Sequence, residues 1–318
     1  MNTSLTQRHV GVEIEFAGLP VHQVAEHIVS VLGGTLNVHT DYEIQVCATA
    51  LGDCTVEVDF ALLKRLGQAR AEAEQDVGLI EQWSEDMLAA VARQLTPCEI
   101  VTAPIQFAQI VELEPLMQAL RQAGAQGTDD ALVYAFGVHF NPEVTGLEVA
   151  DILPTMQAFA LLHDWLLVRM QVDWVRRLAP FIRPWPDEYV ARILAADYQP
   201  DITTLIDDYL AHNATRNRAL DLLPLFAHID AERVNAAVGD DQTKPRPTYH
   251  YRLANCRIGD PEWRLSAEWQ PWLLIESLAQ DTAKRAAMSE AYCQVLGQMT
   301  GDLFADWPGQ VQQWMDRS

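Results

Sequence analysis

The chain has 318 residues, 49% hydrophobic and 21% charged, the composition of a globular protein with a real core in one large domain or two ordinary ones. Its 44 acidic and 22 basic side chains give a net charge of −22, which excludes nucleic acid and anionic membrane surfaces as natural partners. Five scattered cysteines (Cys47, Cys54, Cys98, Cys256, Cys293) form no C-x-x-C pair, the first residues are polar, and no run of about 18 apolar residues occurs. The expectation is a cytoplasmic protein with reduced thiols.

In chain order, strict alternation from Val10 to Phe16 predicts a strand. Helical spacing from Val21 to Leu32, stopped by Gly33-Gly34, predicts a helix. Strands are predicted over Tyr42–Thr49 and Thr55–Phe60, joined by a turn at Gly52-Asp53. A helix over Arg70–Gln94, a short strand over Glu99–Thr102, a helix over Leu113–Gln122 ending at Gly124, and a strand over Leu132–Asn141 follow. The stretch 148–240 reads as helical, with joints at Pro180–Pro186, Gln199-Pro200 and Pro224. Lys244–Ile258 returns to strand, and the chain is helical again from Trp272. The tryptophans of that tail read as core. No internal repeat or linker separates domains, so the expected organisation is one domain over 1–318 with a helical insertion at 148–240. The fold class is α+β, with a mostly antiparallel sheet.

Side chains two apart on a strand share a face, so these strands each present one chemical face. Glu13 and Glu15 oppose Val10, Val12, Ile14 and Phe16; Glu57 and Asp59 oppose Val56, Val58 and Phe60. His139 and Asn141 oppose Phe136, Val138 and Phe140; His250 and Arg252 oppose Tyr249, Tyr251 and Leu253. A half-exposed antiparallel sheet also has one polar face, and for a single strand that explanation suffices. Four faces offering Glu-Glu, Glu-Asp, His-Asn and His-Arg instead suit a hard cation and phosphate. Paired carboxylates repel, and a divalent cation removes that cost. Lys244, Arg246, Arg252 and Arg257 lie in a segment without an acidic residue, which suits phosphate or a salt-bridged surface strand equally.

These residues, in this order, resemble the putative amidoligase family, related to glutamine synthetases and glutamate–cysteine ligases. The resemblance rests on Arg8-His9-Val10-Gly11-Val12-Glu13-Ile14-Glu15-Phe16, on Gly137-Val138-His139-Phe140-Asn141-Pro142, on Asp207-Asp208-Tyr209-Leu210 through Asn213, Arg216-Asn217-Arg218 and Asp221, and on Arg246-Pro247-Thr248-Tyr249-His250-Tyr251-Arg252-Leu253. It runs from about Arg8 to Asp281. It implies a curved, mostly antiparallel sheet of the glutamine-synthetase-like catalytic fold, with ATP and magnesium on the concave side. Glu13, Glu15, Glu57, Asp59, His139 and His250 would be the metal ligands. Asn141, Lys244, Arg246 and Arg252 would contact nucleotide or phosphate. Arg246, Arg252 and His139 would serve the reaction.

Related ligases carry E-x-R on the late strand where this chain has His250-Tyr251-Arg252. That departure removes a negative charge and implies either a shift of preference toward manganese or fewer metals held. The resemblance implies an ATP-dependent carboxylate–amine ligase working through an acyl phosphate, on a small amino-acid-like or peptide substrate of glutamate or γ-glutamyl type. The family's association with amidotransferase-like and cyclotransferase-like proteins implies a separate partner of that kind. A base for the amine is open between Asp41 and Asp221, and Arg183-Pro184-Trp185-Pro186 is placed to form a cover. Two other classes fit the same faces: a metal-dependent phosphotransferase or phosphohydrolase, and a non-catalytic nucleotide-binding protein that kept the fold.

Overall fold

The computed structural model describes residues 7–59, 97–128, 136–172, 176–177, 182–239, 243–297 and 306–316. The expected helix over Arg70–Gln94 lies outside them. The described residues are α+β: ten α-helices, and nine strands in an antiparallel sheet that does not close into a barrel. They fall into two compact units, one within Leu5–Phe140 and Asn255–Ala267, the other within Asn141–Ala254 and Glu268–Ser318.

In the strand-rich unit, β1 (His9–Phe16) is flanked by β5 (Cys98–Thr102) and β7 (Gly137–Pro142). Outward from β5 come β4 (Gly52–Val58), β3 (Glu43–Thr49) and β2 (Thr35–Thr40), and the two-residue β6 (Ile105–Gln106) also pairs with β1. Val10, Val12, Ile14 and Phe16 are wholly buried, as alternation requires of a core face. The helix α1 (Val21–Leu32) turns Val21, Val24, Ala25 and Ile28 inward and packs against β2, β3 and β4. It also packs against α2 (Glu114–Ala123), which follows a 3-10 turn over Phe107–Leu113. The α2 helix stops where Gly124 takes φ 105°, a left-handed conformation open to glycine, and Ala125 N then donates to Leu120 O at 3.0 Å.

Two expected strand boundaries move and one strand is added. The β3–β4 turn lies at Ala50-Leu51 rather than Gly52-Asp53, because Gly52 already belongs to β4. The strand β2 was not expected; Leu36 and Val38 alternate with Thr35, Asn37 and His39, yet all six of its residues are exposed. The late strand β9 covers only His250–Asn255 of the expected Lys244–Ile258, since Pro245 and Pro247 have no N–H to give a ladder.

The helix-rich unit is built on α3 (Val149–Arg169), α4 (Asp187–Leu194), α5 (Ile202–Asn213), α6 (Leu223–Ile229) and α7 (Ala231–Val238). The short β8 (Leu220–Asp221) pairs antiparallel with β9. Most of α8 (Leu265–Gln280), then α9 (Thr282–Gly297) and α10 (Trp307–Asp316), complete it. Edge-on aromatic contacts link Trp185 to Phe159, Tyr189 and Tyr209, and Tyr209 to Phe226. Trp185 Nε1 donates to Leu220 O at 3.1 Å, so the Pro184-Trp185-Pro186 turn is anchored in the core rather than held out as a cover. The tail tryptophans are core as well. Trp272 packs on Tyr249 and Tyr251, and Trp307 donates from Nε1 to Leu161 O at 3.0 Å, docking α10 on α3.

Candidate functional site

The polar faces of these strands are buried too. Glu13, Glu15 and His139 are 9%, 5% and 8% exposed, so β1 is covered on both sides and the ordinary wet face of a half-exposed sheet is not what this strand has. His139 is the keystone: Nδ1 lies 3.1 Å from Glu13 Oε2, and Nε2 lies 3.5 Å from Glu15 Oε1. Glu15 also accepts from Gly137 N at 3.0 Å, tying the carboxylate to the strand that carries His139.

Register then adds a residue that sequence reasoning missed. Glu15 pairs with Glu99 across β1 and β5, Glu99 with Glu57 across β5 and β4, and Glu57 with Glu43 across β4 and β3. Opposed residues on antiparallel strands present side chains to one face, roughly 4.5 to 5.5 Å apart at Cβ. Four glutamates therefore form one row across four strands. Burial, then the charges of Glu13, Glu15, Asp59 and Glu57, push the Glu99 carboxyl well above the usual carboxylate range. Asp59, just past β4, is buried, and its N–H donates to Pro97 O at 3.0 Å.

The donor set fits a hard divalent cation. Glu15, Glu99 and His139 each offer one ligand atom, all within 4.8 Å of one another. Carboxylate oxygens suit magnesium, and the imidazole makes manganese a comfortable alternative. Glu13 lies beside this trio through His139, while Glu57 and Asp59 enter through their charge on Glu99. Cys98, between these carboxylates and the core, has its thiol pushed up chiefly by burial, which makes it a small core residue and not a nucleophile.

The helix-rich unit holds the other expected residues. On β9, His250 and Arg252 are buried on one face, and Tyr251 fills the other with Trp272 and Phe159. Asp221 is opposite His250 in register and fully buried. Its Oδ2 accepts from Arg216 Nε at 2.7 Å and lies 3.5 Å from an Arg252 terminal nitrogen, while Oδ1 accepts from Leu223 N at 3.0 Å. That carboxylate is taken up by donors on both oxygens, so its work is to hold Arg252 in place. Asp41 is exposed in the β2–β3 turn. Asn141 is buried on β7 and Arg246 is half-buried, its N–H donating to Pro224 O at 3.0 Å; Lys244 is exposed.

Arg176 is a second missed residue. It is buried and donates to the carbonyls of Leu253 and Ala254 at 3.1 and 2.8 Å, and to that of Arg252 at 2.8 Å. It thereby fixes the backbone that carries Arg252. Nothing in its local sequence marks this, because its partners are carbonyls some 76 to 78 residues away. Asp207 and Asp208 take surface arginines instead, Arg233 at 2.6 Å and Arg192 at 2.7 Å. Cys256 is wholly buried, which leaves no reactive thiol at that strand end. No helix among the described residues is long and apolar enough to cross a membrane.

No curated protein and no solved structure matches the chain. The family model described as "Putative amidoligase enzyme" matches residues 6–274, a span that holds every strand described above. With its glutamate row and its arginine-bearing late strand inside that match, the chain belongs to the putative amidoligase family.

Proposed function

We propose that the protein is an ATP-dependent carboxylate–amine ligase that makes an amide through an acyl phosphate. The acid is a small amino-acid-like or peptide substrate, of glutamate or γ-glutamyl type. Family membership supports a ligase, and the row Glu15–Glu99–Glu57, buried at its Glu15 end, with His139 across Glu13 and Glu15 is the observation that carries the metal-nucleotide part.

In the reaction, an oxygen of the substrate carboxylate bonds to the γ-phosphorus of ATP and the bond to the β-phosphate oxygen breaks, leaving ADP. The nitrogen of a neutral amine then bonds to the acyl carbon, inorganic phosphate leaves, and the amine proton passes to solvent or to a base. Catalysis of the first step is chiefly positioning and charge neutralisation. Magnesium or manganese, held by Glu13, Glu15, Glu99 and His139, would supply positive charge for the phosphate oxygens. Glu57 and Asp59 extend the same negative field, and His250 offers a further nitrogen donor from β9. Arg252, braced by Asp221 and Arg176, presents a guanidinium whose orientation is fixed before substrate arrives. Arg246, Lys244 and Asn141 are assigned to nucleotide or phosphate contact. A separate amidotransferase-like or cyclotransferase-like protein would supply the amine or process the product.

The test is ADP release with magnesium or manganese, L-glutamate as the acid, and a panel of amines. The expected result is turnover that depends on both acid and amine. ADP release from ATP, or phosphate release from a phosphoester, at full rate without any amine overturns the ligase reading in favour of phosphohydrolysis.

A further inference from the structure

Among the described residues β2 pairs only with β3, so it forms one edge of the sheet. All six of its residues are exposed. Six large apolar side chains are exposed among the described residues, and three of them, Leu36, Val38 and Tyr42, belong to the β2–β3 hairpin. An edge strand offers its outward N–H and C=O groups to any strand that can lie beside it, and proteins commonly block such an edge with a charged side chain or a proline. The strand β2 has neither: residues 27–40 contain no Asp, Glu, Lys, Arg or Pro. A register shift between Val38 and Thr40 leaves 35–38 in regular pairing.

Register shows what this edge carries. Ile14 pairs with Ile100, Ile100 with Val56, Val56 with Ile44 and Ile44 with Val38, so one apolar row crosses five strands on the core face. Its first four members are buried, and the fifth, Val38, is 61% exposed. Leu36 lies on the same face, opposite buried Val46. The core row thus runs out into water at β2. On the other face Asn37 stands opposite Gln45, its amide nitrogen 3.5 Å from Gln45 Oε1.

We propose that β2 is the interface of a homodimer, in which β2 of one copy pairs antiparallel with β2 of a second copy, centred on Asn37. In that register Asn37 opposes Asn37, and Leu36 of each copy opposes Val38 of the other, so the core row continues from one sheet into the next. A twofold interface must be self-complementary residue by residue, and the alternation of this strand about Asn37 meets that condition. Charge selects the same occupant. A net charge of −22 makes two copies repel, and β2 is a stretch where they meet without an ionised carboxylate in the paired strands. A charged peptide or a polyanion would find no counter-charge in 27–40. A strand pair of this length lies at the small end of specific interfaces, so the dimer dissociates on dilution. This proposal does not depend on the ligase reading.

The experiment is sedimentation equilibrium of the full chain over a concentration series. It compares the parent with Asn37→Lys, Asn37→Asp, an equimolar mixture of those two, Val38→Lys, and the control Val168→Lys on α3, where the side chain is similarly exposed. Every substituted position is exposed, and melting curves check that each variant folds. The expected result is a parent mass that approaches twice that of one chain as concentration rises. Each of the three β2 variants should associate about tenfold or more weakly, because a twofold repeats every substitution and sets like charges together. Val168→Lys should match the parent. The mixture should recover association, since Lys meets Asp only in a pair centred on Asn37. A parent that stays monomeric throughout, a dimer that Asn37→Lys leaves intact, or a mixture no tighter than either variant alone overturns the proposal.

Discussion

Glu15 and Glu99 stand directly opposite each other on β1 and β5, with Glu57 next in the same row on β4. Like charges opposed across a sheet destabilise it, so a row of this kind is costly unless protons or a cation occupy it. Burial and the neighbouring carboxylates raise the Glu99 pKa, so without a cation the row favours a proton there.

That response has a pH signature. Because the folded-state pKa of Glu99 lies above its unfolded value, the folded state binds more protons between the two. Stability is then fully present below the ordinary glutamate pKa and lost as pH rises through the folded one. Glu99→Gln removes the penalty. Melted at pH 8 with a chelator, this variant should be more stable than the parent by on the order of 1 kcal/mol, a Tm rise of about 2 °C. At pH 4 the two should converge. A variant less stable at pH 8 would show that the row is not under charge strain.

Cations should act in the opposite sense on the parent. Manganese or magnesium at about a hundred times its dissociation constant should stabilise the folded protein by about 2.7 kcal/mol. Glu15→Gln and Glu13→Gln should each lose most of that gain while melting cooperatively without metal, because both carboxylates meet His139. Val12→Ala is the contrasting case: Val12 is wholly buried on the core face, so it should lose stability and keep its metal response. An unaltered metal shift in Glu15→Gln would remove the cation from this face.

How much of this was legible in the sequence depends on distance along the chain. The β1 pattern could be read because alternation is local: four apolar residues wholly buried on one side, Glu13 and Glu15 on the other. Glu99 was passed over because β5 is five residues with one charge, and its meaning comes from the register that sets it between Glu15 and Glu57. Asp221 stands in the sequence as one of two candidate bases, beside Asp41, because an isolated aspartate has that chemistry. Its real neighbours, Arg216 and Arg252, are set by the β8–β9 pairing. The strand β2 offered only the short alternation of Leu36 and Val38 with polar residues, and both of its faces meet water. Cation and nucleotide leave no trace in alternation at all, only in the residue types that the faces carry.

The Asp221 arrangement predicts a large effect from a small change. Asp221→Asn keeps the shape but leaves Arg216 and Arg252 without their shared anion, one of them in a buried site. Breaking such a pair from one side costs about 3 to 5 kcal/mol. Urea unfolding of Asp221→Asn should show a loss in that range, whereas Asp207→Asn, at a surface pair, should lose less than about 1 kcal/mol. Equal losses would mean that burial does not govern the Asp221 cluster.

The last prediction concerns how β1 holds its glutamates still. Val12 N–H donates to Thr102 Oγ1 at 3.0 Å, and Thr102 is buried at the end of β5. A threonine side chain thus completes the backbone bonding of the residue immediately before Glu13. Thr102→Val keeps the volume and removes the acceptor, leaving a buried N–H unpaired at a cost of about 1 to 3 kcal/mol. Because the loss falls beside Glu13, metal-induced stabilisation should also weaken, as Glu13 and His139 lose their fixed separation. Thr102→Ser, which retains the oxygen, should restore most of the metal response even though it gives up a methyl group. If Thr102→Val and Thr102→Ser responded to manganese alike, the hydrogen bond to Val12 would have no part in positioning the site.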